Sequence, residues 1–318
     1  MDLITKNETN LLKGIAILMV MIEHIGQAFH IGIVNPLGPL GVFLFLFLSG
    51  YGLSCSYREK GKKNYFYRKL LKVYCPYAFA VILFLIWNSM IHVQFSGSTV
   101  AKYLILLALP QGSFWYLILL FFWYIVFYLL TPVYKKTKLL IVLMLLASFA
   151  ITWLEGFSRG YAWQFISFPL GVLVGKFPDE VYKHFANVKA PLKNSVLLII
   201  AVLMVVLKKT VYVEMHELGF VDTFLQIGIT LTLGIWLILN RELFEKNRKI
   251  KTLLIFIGCY SYQLYLSHVL PLDWLKNNAT IYCLMVYVLV TVIGAALITL
   301  FIRGLNYSIR EVALIRGE

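Results

Sequence analysis

The sequence predicts an all-α integral membrane protein, a single domain over residues 1–318 formed by a bundle of about ten transmembrane helices with both termini in the cytoplasm. Three observations predict this class. Of the 318 residues, 60% are hydrophobic and 14% are charged, whereas soluble domains are roughly 45–50% apolar and about 25% charged. Apolar runs recur at the length of about 20 residues that crosses a bilayer as a helix. No run alternates with the period of two that a membrane β-barrel needs.

The predicted crossings are apolar runs bounded by charged or polar residues. They lie near residues 11–30, 38–57, 76–95, 113–134, 138–156, 161–177, 192–211, 220–240, 253–273 and 281–302. The segment 99–110 is also apolar, but at about twelve residues it is too short to cross. An interfacial or re-entrant piece is therefore expected there.

The basic residues predict the orientation of these helices. With ten crossings, 24 of the 29 Lys and Arg residues fall on one side, and membrane proteins keep an excess of Lys and Arg in the cytoplasm. Topology thus explains the net charge of +14, so no nucleic-acid partner is expected. The expected location is the cell (inner or plasma) membrane, with membrane lipid as a partner.

The four cysteines indicate neither disulfides nor a metal site. They have no CxxC spacing and lie in or beside apolar runs, as buried structural thiols do. No Gly-rich phosphate loop, paired metal ligands or nucleophile elbow occurs in the chain. No metal cofactor is therefore expected.

The first helix carries adjacent ionisable residues, Glu23 and His24, about 20 Å into the span at 1.5 Å per residue. Such residues are costly in a membrane, so each is a candidate functional residue. Lys13 is eleven residues before His24, which places both on one helix face about 16 Å apart. We expect Lys13 at the cytoplasmic mouth, His24 deep inside, and Glu23 as a helper that raises the basicity of the histidine. The alternative for His24 is a purely structural histidine of the bundle.

The ninth helix offers a second histidine. Ser261, Tyr265 and His268 follow one another at spacings of four and three, so they share a helix face. Helices one and nine both run outward, and His268 is therefore expected at a depth similar to that of His24. Two interpretations stay open: a cavity shared by the two histidines, and a seam of hydrogen bonds between helices.

Small and polar residues interrupt helix two at Ser49 and Gly50. Small residues allow helices to approach closely, and the same interpretation covers Gly171 and Gly175 in helix six. The segment 57–72 that follows helix two is basic with interleaved aromatic residues.

That basic segment suits two ligands. Lys and Arg next to a membrane helix bind anionic lipid. Arg58 and Arg68 also suit the phosphates of a cytoplasmic cofactor, because the planar guanidinium engages two phosphate oxygens at once.

Taken in order, short motifs in the chain resemble the acyltransferase 3 family of integral membrane acyltransferases. They are Lys13-Gly14-Ile15-Ala16 ahead of His24, the stretch Phe45 to Gly50, the stretch Arg68 to Pro76, Phe114-Trp115-Tyr116-Leu117, and Ser261-Tyr262-Gln263-Leu264-Tyr265-Leu266-Ser267-His268. The first family motif has Arg where this chain has Lys13. Lysine keeps the charge and loses the two-pronged geometry of arginine.

The resemblance implies about ten helices and transfer of acyl groups to extracytoplasmic glycans. From it we expect acetyl-CoA, or a similar acyl-CoA, as the donor, with its phosphates near Lys13, Arg58 and Arg68 and its thioester directed to His24. His24 is expected to act as general base on the acceptor hydroxyl or as a transient acyl carrier. Glu23 and His268 complete the predicted catalytic group.

The expected acceptor is a hydroxyl of an extracytoplasmic or lipid-linked glycan. Its predicted contacts are Ser49, Trp115, Ser261 and Tyr265. Of these, Ser49 and Tyr265, with His268, are expected to position the acceptor or to stabilise the thioester oxyanion. Trp115 either stacks on a sugar ring or anchors the helix at the membrane interface.

The rival hypothesis is a proton-coupled secondary transporter of a small polar solute, since such carriers also use intramembrane Glu and His. Against it, the two halves of the chain show no matching hydropathy. A helical membrane scaffold would leave the buried histidines unexplained. The sequence does not decide between a monomer and a homo-oligomer.

Overall fold

The described part of the chain is helical. The computed structural model describes residues 3–186, 190–214 and 219–315, and these form sixteen α-helices and no strand. In chain order they are α1 (Lys6–Ala28), α2 (Leu37–Lys60), α3 (Tyr65–Lys69), α4 (Cys75–Met90), α5 (Gly97–Leu104), α6 (Trp115–Leu130), α7 (Thr137–Leu154), α8 (Arg159–Trp163), α9 (Ser167–Lys176), α10 (Pro178–Ala186), α11 (Ala190–Glu214), α12 (Gly219–Leu239), α13 (Arg248–Cys259), α14 (Ser261–Ser267), α15 (Leu272–Asn277) and α16 (Ile281–Ile315).

Eight helical stretches among the described residues are long and apolar enough to cross a membrane. They are Lys6–Ala28, Gly32–Lys60, Tyr65–Met90, Gly112–Val133, Thr137–Leu154, Pro191–Lys208, Phe220–Leu239 and Ile281–Ile309. Each overlaps one predicted crossing, so the prediction of an all-α membrane protein is confirmed. The count of ten and the cytoplasmic termini stay predictions.

The other two predicted crossings, 161–177 and 253–273, are broken helices. The first consists of α8 and α9, and the second of α13 and α14. At the first break, Gln164 donates a hydrogen bond from Nε2 to the Pro39 carbonyl at 3.0 Å and accepts one from the Ser167 hydroxyl at 2.7 Å. Interrupted helices at membrane depth are tolerated where side chains satisfy polar groups in this way.

The third crossing starts earlier than predicted. The helix begins at Tyr65 rather than near residue 76 and ends at Met90 rather than near residue 95. It contains a π-helical turn at Leu70–Tyr74. Much of the basic segment is therefore helical, because Lys and Arg can lay their stems along an apolar surface while the charged ends reach the polar interface. The segment 99–110 holds only the short helix α5, as its length predicts.

Helix α11 shows the surface that lipid covers. Its exposed apolar side chains include Leu198, Ile199, Val202, Leu203 and Val206. A continuous exposed apolar face of this kind would be unfavourable in water. It is the surface expected of a membrane-spanning helix, which agrees with a multi-pass membrane protein.

The chain divides into two compact units. The first comprises Met1–Ile22, Asn35–Lys62 and Leu119–Gly258, and the second comprises Glu23–Val34, Lys63–Ile118 and Cys259–Glu318. Each unit is therefore assembled from three separate chain segments. The single-domain assignment stays a prediction.

Glycines bring α2 and α9 into contact in the first unit. A Cβ atom added at Gly171 would overlap the Phe47 carbonyl oxygen, and one added at Gly50 would overlap the Phe168 carbonyl oxygen. The predicted role of these small residues in close helix packing is confirmed. The same holds for Gly175, where a Cβ would lie 2.7 Å from the Tyr51 carbonyl oxygen.

We expect Gly171→Ala to destabilise the first unit by about 1–3 kcal/mol, the usual cost of forcing an extra carbon into a packed core. The overlapping atoms belong to the backbone, so they cannot move aside as a side chain would. The measurement is the unfolding midpoint in detergent. Gly52→Ala is the matched control, because a Cβ there meets nothing within 4 Å. Equal midpoints for the two variants would contradict the packing at Gly171.

Candidate active site

The predicted site residues divide between the two units. The second unit holds Glu23, His24, Arg68, Trp115, Ser261, Tyr265 and His268, and the first holds Lys13, Ser49 and Arg58. All three residues predicted to be catalytic therefore belong to the same unit.

The second unit brings the two histidines together. The His24 and His268 rings stack with centroids 5.3 Å apart and an angle of 25° between their planes. His24 lies near the end of α1, and His268 directly follows α14. His268 is fully buried, and the His24 side chain is 14% exposed. This contact agrees with the prediction that the first and ninth helical segments bring these histidines to a similar depth, which stays a prediction.

A hydrogen bond to the backbone determines which ring nitrogen of His268 carries the proton. Its Nδ1 lies 2.6 Å from the Tyr265 carbonyl oxygen. A carbonyl oxygen only accepts, so Nδ1 carries the proton and donates. In the neutral ring, Nε2 then holds a lone pair, and it is buried with no hydrogen-bond partner among the described residues. His268 is thus held with an unprotonated, proton-accepting Nε2.

Tyr265 is itself held in place by residues 113–116, which include the start of α6. Its hydroxyl donates to the Ser113 carbonyl at 2.6 Å. The rings of Tyr116 and Phe114 pack edge-on against it, with centroids at 5.1 and 6.5 Å. Tyr265 therefore holds the second histidine in place through its own carbonyl. Direct contact between Tyr265 and substrate stays a prediction.

The Glu23 carboxyl group lies beside His24. Its Oε2 lies 3.2 Å from His24 Nδ1, although the two are not aligned as a hydrogen bond. Its other oxygen, Oε1, accepts a hydrogen bond from Gln27 Nε2. A carboxylate at this distance favours the protonated imidazole that forms during proton transfer. Lys276 on α15 is close enough to interact electrostatically with Glu23 and both histidines.

Two hydroxyls on α16 were not predicted from the sequence. Tyr287 and Thr291 are fully buried, and neither hydroxyl has a hydrogen-bond partner among the described residues. Glu23 interacts electrostatically with Tyr287. A sequence signal existed, because polar residues four apart on an apolar membrane helix lie on one face.

The π-helical turn Leu70–Tyr74, at the end of the basic segment, contacts α14 within the second unit. The Tyr262 hydroxyl donates to the Val73 carbonyl at 2.8 Å, inside the π-helical turn. Such turns leave carbonyls available and are frequent at functional sites. Arg68 lies in α3, Trp115 begins α6, and Ser261 is buried at the start of α14.

The first unit positions the remaining predicted residues. Arg58 donates from Nη1 to the Gly175 carbonyl at 3.1 Å, and Ser49 hydrogen-bonds Tyr124. Lys13 precedes Gly14, whose α-carbon faces the backbone of Leu254 on α13 so closely that a Cβ would overlap it. The glycine after Lys13 thus permits the crossing of α1 and α13.

The described residues contain no group of three or more His, Cys, Asp or Glu side chains that could hold a metal ion. The chemistry available in the second unit is therefore that of two imidazoles, a carboxylate and two buried hydroxyls. Such a set can move protons and stabilise a developing negative charge.

Comparison with curated proteins and with solved structures finds no match. The model of the acyltransferase 3 family, described as an acyltransferase domain, matches residues 7–303. That span is nearly the whole chain, and it contains the two stacked histidines, Glu23 and the hydroxyls on α16. The chain therefore belongs to the acyltransferase 3 family of membrane acyltransferases.

Proposed function

We propose that this protein moves an acetyl or other short acyl group from cytoplasmic acyl-CoA to a hydroxyl of an extracytoplasmic or lipid-linked glycan. The observation that carries this proposal is the stacked pair of imidazoles, His24 and the fully buried His268, beside Glu23. Membership of the acyltransferase 3 family supports the reaction type. Acetyl-CoA is the proposed donor.

Proton transfer by the imidazole pair drives the proposed reaction. An imidazole nitrogen removes the proton of the acceptor hydroxyl, and the hydroxyl oxygen attacks the thioester carbonyl carbon. The carbon–sulfur bond then breaks, and the imidazolium returns the proton to the leaving sulfur, so the products are an oxygen ester and CoA thiol. In the second route, an imidazole nitrogen of His24 attacks the thioester carbonyl carbon and the carbon–sulfur bond breaks, so that CoA leaves as the thiolate. The acceptor oxygen then attacks the acyl carbon, the carbon–nitrogen bond to His24 breaks, and the acceptor proton ends on the CoA thiol.

Lys13, Arg58 and Arg68 are the proposed contacts for the donor phosphates. Guanidinium groups engage phosphate oxygens in pairs, and lysine acts as a point charge. Arg58 donates a hydrogen bond from Nη1 to the Gly175 carbonyl, and this bond fixes the direction of its guanidinium group. On the acceptor side, Ser49, Ser261 and Tyr265 are the proposed polar contacts, and Trp115 the proposed stacking surface.

We expect Arg68→Ala to raise the KM for acyl-CoA by about 10- to 150-fold while the KM for the acceptor stays near the wild-type value. Loss of a charge-assisted phosphate contact weakens binding by about 1.5–3 kcal/mol. The measurement is the initial rate of acetyl transfer in membranes with each substrate varied in turn. Lys102→Ala removes an exposed positive charge from α5 in the same unit and serves as the control. An unchanged acyl-CoA dependence would remove Arg68 from the donor site.

The proposed function is tested by mass spectrometry of surface glycans from cells with and without the protein. Glycan O-acetyl esters should be present only with it, and acetyl labelled in acetyl-CoA should appear in those esters. Uptake of a small polar solute into vesicles without any acyl-CoA, with no change in glycan esters, would favour the transporter instead.

A further inference from the structure

We propose that Tyr287 is a further catalytic residue, whose phenol hydroxyl donates a hydrogen bond to the carbonyl oxygen of the acyl group during transfer. The proposal rests on the proposed function, because it assigns a role within that same site. Tyr287 lies on α16, outside the short motifs that resemble the acyltransferase 3 family.

Two contacts connect α1, α14 and α16 within the second unit. The ring of His24 on α1 stacks on His268 after α14, with centroids 5.3 Å apart. Ser267, the neighbour of His268, donates from its hydroxyl to the Thr291 carbonyl on α16 at 2.8 Å. Tyr287 lies four residues before Thr291 on α16, so it is one helical turn from the point where α16 meets the segment carrying His268.

Close packing keeps α16 against α14 at this level. A Cβ added at Gly294 would lie 2.8 Å from Ser267 Cβ and 3.2 Å from Leu270 Cδ1. Tyr287, Thr291 and Gly294 follow at spacings of four and three, so they occupy one face of the helix. That face is the one directed at the segment carrying His268.

The state of the Tyr287 hydroxyl points to a ligand. The residue is 0% exposed, and its oxygen has no hydrogen-bond partner among the described residues. Burying a hydroxyl without a partner is unfavourable by about 1–3 kcal/mol. The hydroxyl of Thr291 and Nε2 of His268 are buried in the same condition. The packed elements α14 and α16 thus carry buried hydroxyl donors and a proton-accepting nitrogen.

These groups match the demands of acyl transfer. When the acceptor oxygen attacks, the carbonyl carbon becomes tetrahedral and its oxygen gains negative charge, while Nε2 of His268 takes the acceptor proton. The Tyr287 hydroxyl donates to this oxyanion and keeps its own proton. The carbon–oxygen double bond then re-forms, the thiolate of CoA leaves, and it takes the proton from the imidazolium.

The test compares wild type with Tyr287→Phe, which removes one oxygen and keeps the ring. We expect kcat for acetyl transfer to fall about 10²–10³-fold, the usual loss for one oxyanion donor, with the KM for acetyl-CoA unchanged. Tyr282→Phe is the control, because Tyr282 lies on the same helix and is 69% exposed. An unchanged kcat, or a loss confined to KM, would overturn the proposal.

A second measurement separates catalysis from folding. Each protein is assayed with acetyl-CoA and with fluoroacetyl-CoA, whose fluorine stabilises the oxyanion through the carbon chain. The deficit of Tyr287→Phe should be several-fold smaller with fluoroacetyl-CoA, whatever amount of protein folds. An equal fall in rate with both donors would overturn the role of Tyr287 but leave the proposed function standing. A wild-type protein that transfers no acetyl would instead overturn the proposed function.

Discussion

His24→Ala is expected to lower kcat for acetyl transfer by about 10²–10⁴-fold, the usual contribution of a general acid–base group. The His24 ring stacks on the His268 ring, and its Nδ1 lies 3.2 Å from the Glu23 carboxyl oxygen Oε2. The substitution therefore removes one imidazole and also the ring that packs against His268. As an acyl carrier His24 would be equally indispensable. The measurement is the rate of labelled acetyl transfer from acetyl-CoA in membranes, at equal amounts of folded protein.

The control for that variant is His30→Asn. His30 is exposed and has a backbone φ of 56°, a left-handed conformation that asparagine tolerates better than alanine. We expect wild-type activity from it. A His24→Ala protein that transfers acetyl at the wild-type rate would show that the reaction does not involve this imidazole.

His268→Asn is expected to cause a loss of similar size, about 10²–10⁴-fold in kcat. An asparagine amide can take the place of Nδ1–H and still donate to the Tyr265 carbonyl, which His268 contacts at 2.6 Å. What disappears is Nε2, the nitrogen without a partner. We therefore expect a folded protein with an unfolding midpoint near that of wild type and very little transferase activity.

The matched control for the second histidine is His92→Asn, at an exposed position of the same unit with a φ of 62°. It should retain both stability and activity. If His268→Asn retained wild-type kcat, the histidine would serve only in a seam of hydrogen bonds between helices, the alternative to a shared cavity.

Hydropathy predicted the eight long helices because each is an uninterrupted apolar run, and such runs need only length and composition to be recognised. The breaks at 164–166 and at Tyr260 were not predicted. Composition stays apolar through both, and at the first break the interruption is stabilised by Gln164 bonding to the distant Pro39 carbonyl. A contact between residues so far apart in the chain leaves no local signal.

Those parts of the candidate site that depend only on depth in the membrane and on helical face could be predicted from the sequence. Counting residues from the membrane surface placed His24 and His268 at one level, and their rings are stacked. The direction of the His268 proton could not be predicted, because it depends on a turn of backbone that ends α14 beside the Tyr265 carbonyl. Tyr287 was overlooked because a tyrosine in a membrane helix is ordinarily an interfacial anchor, and only packing shows that its hydroxyl is buried.

Acetyl transfer by the His24→Ala, His268→Asn double variant, measured beside wild type and the two single variants in one membrane preparation, tests the central claim most directly. Residues that act as one unit show strongly non-additive losses. The paired-imidazole site predicts that the double variant is no more than a few-fold slower than the slower single variant. Wild-type transfer by the double variant would contradict an imidazole-based acyltransferase, and a loss equal to the product of the single losses would contradict a shared site.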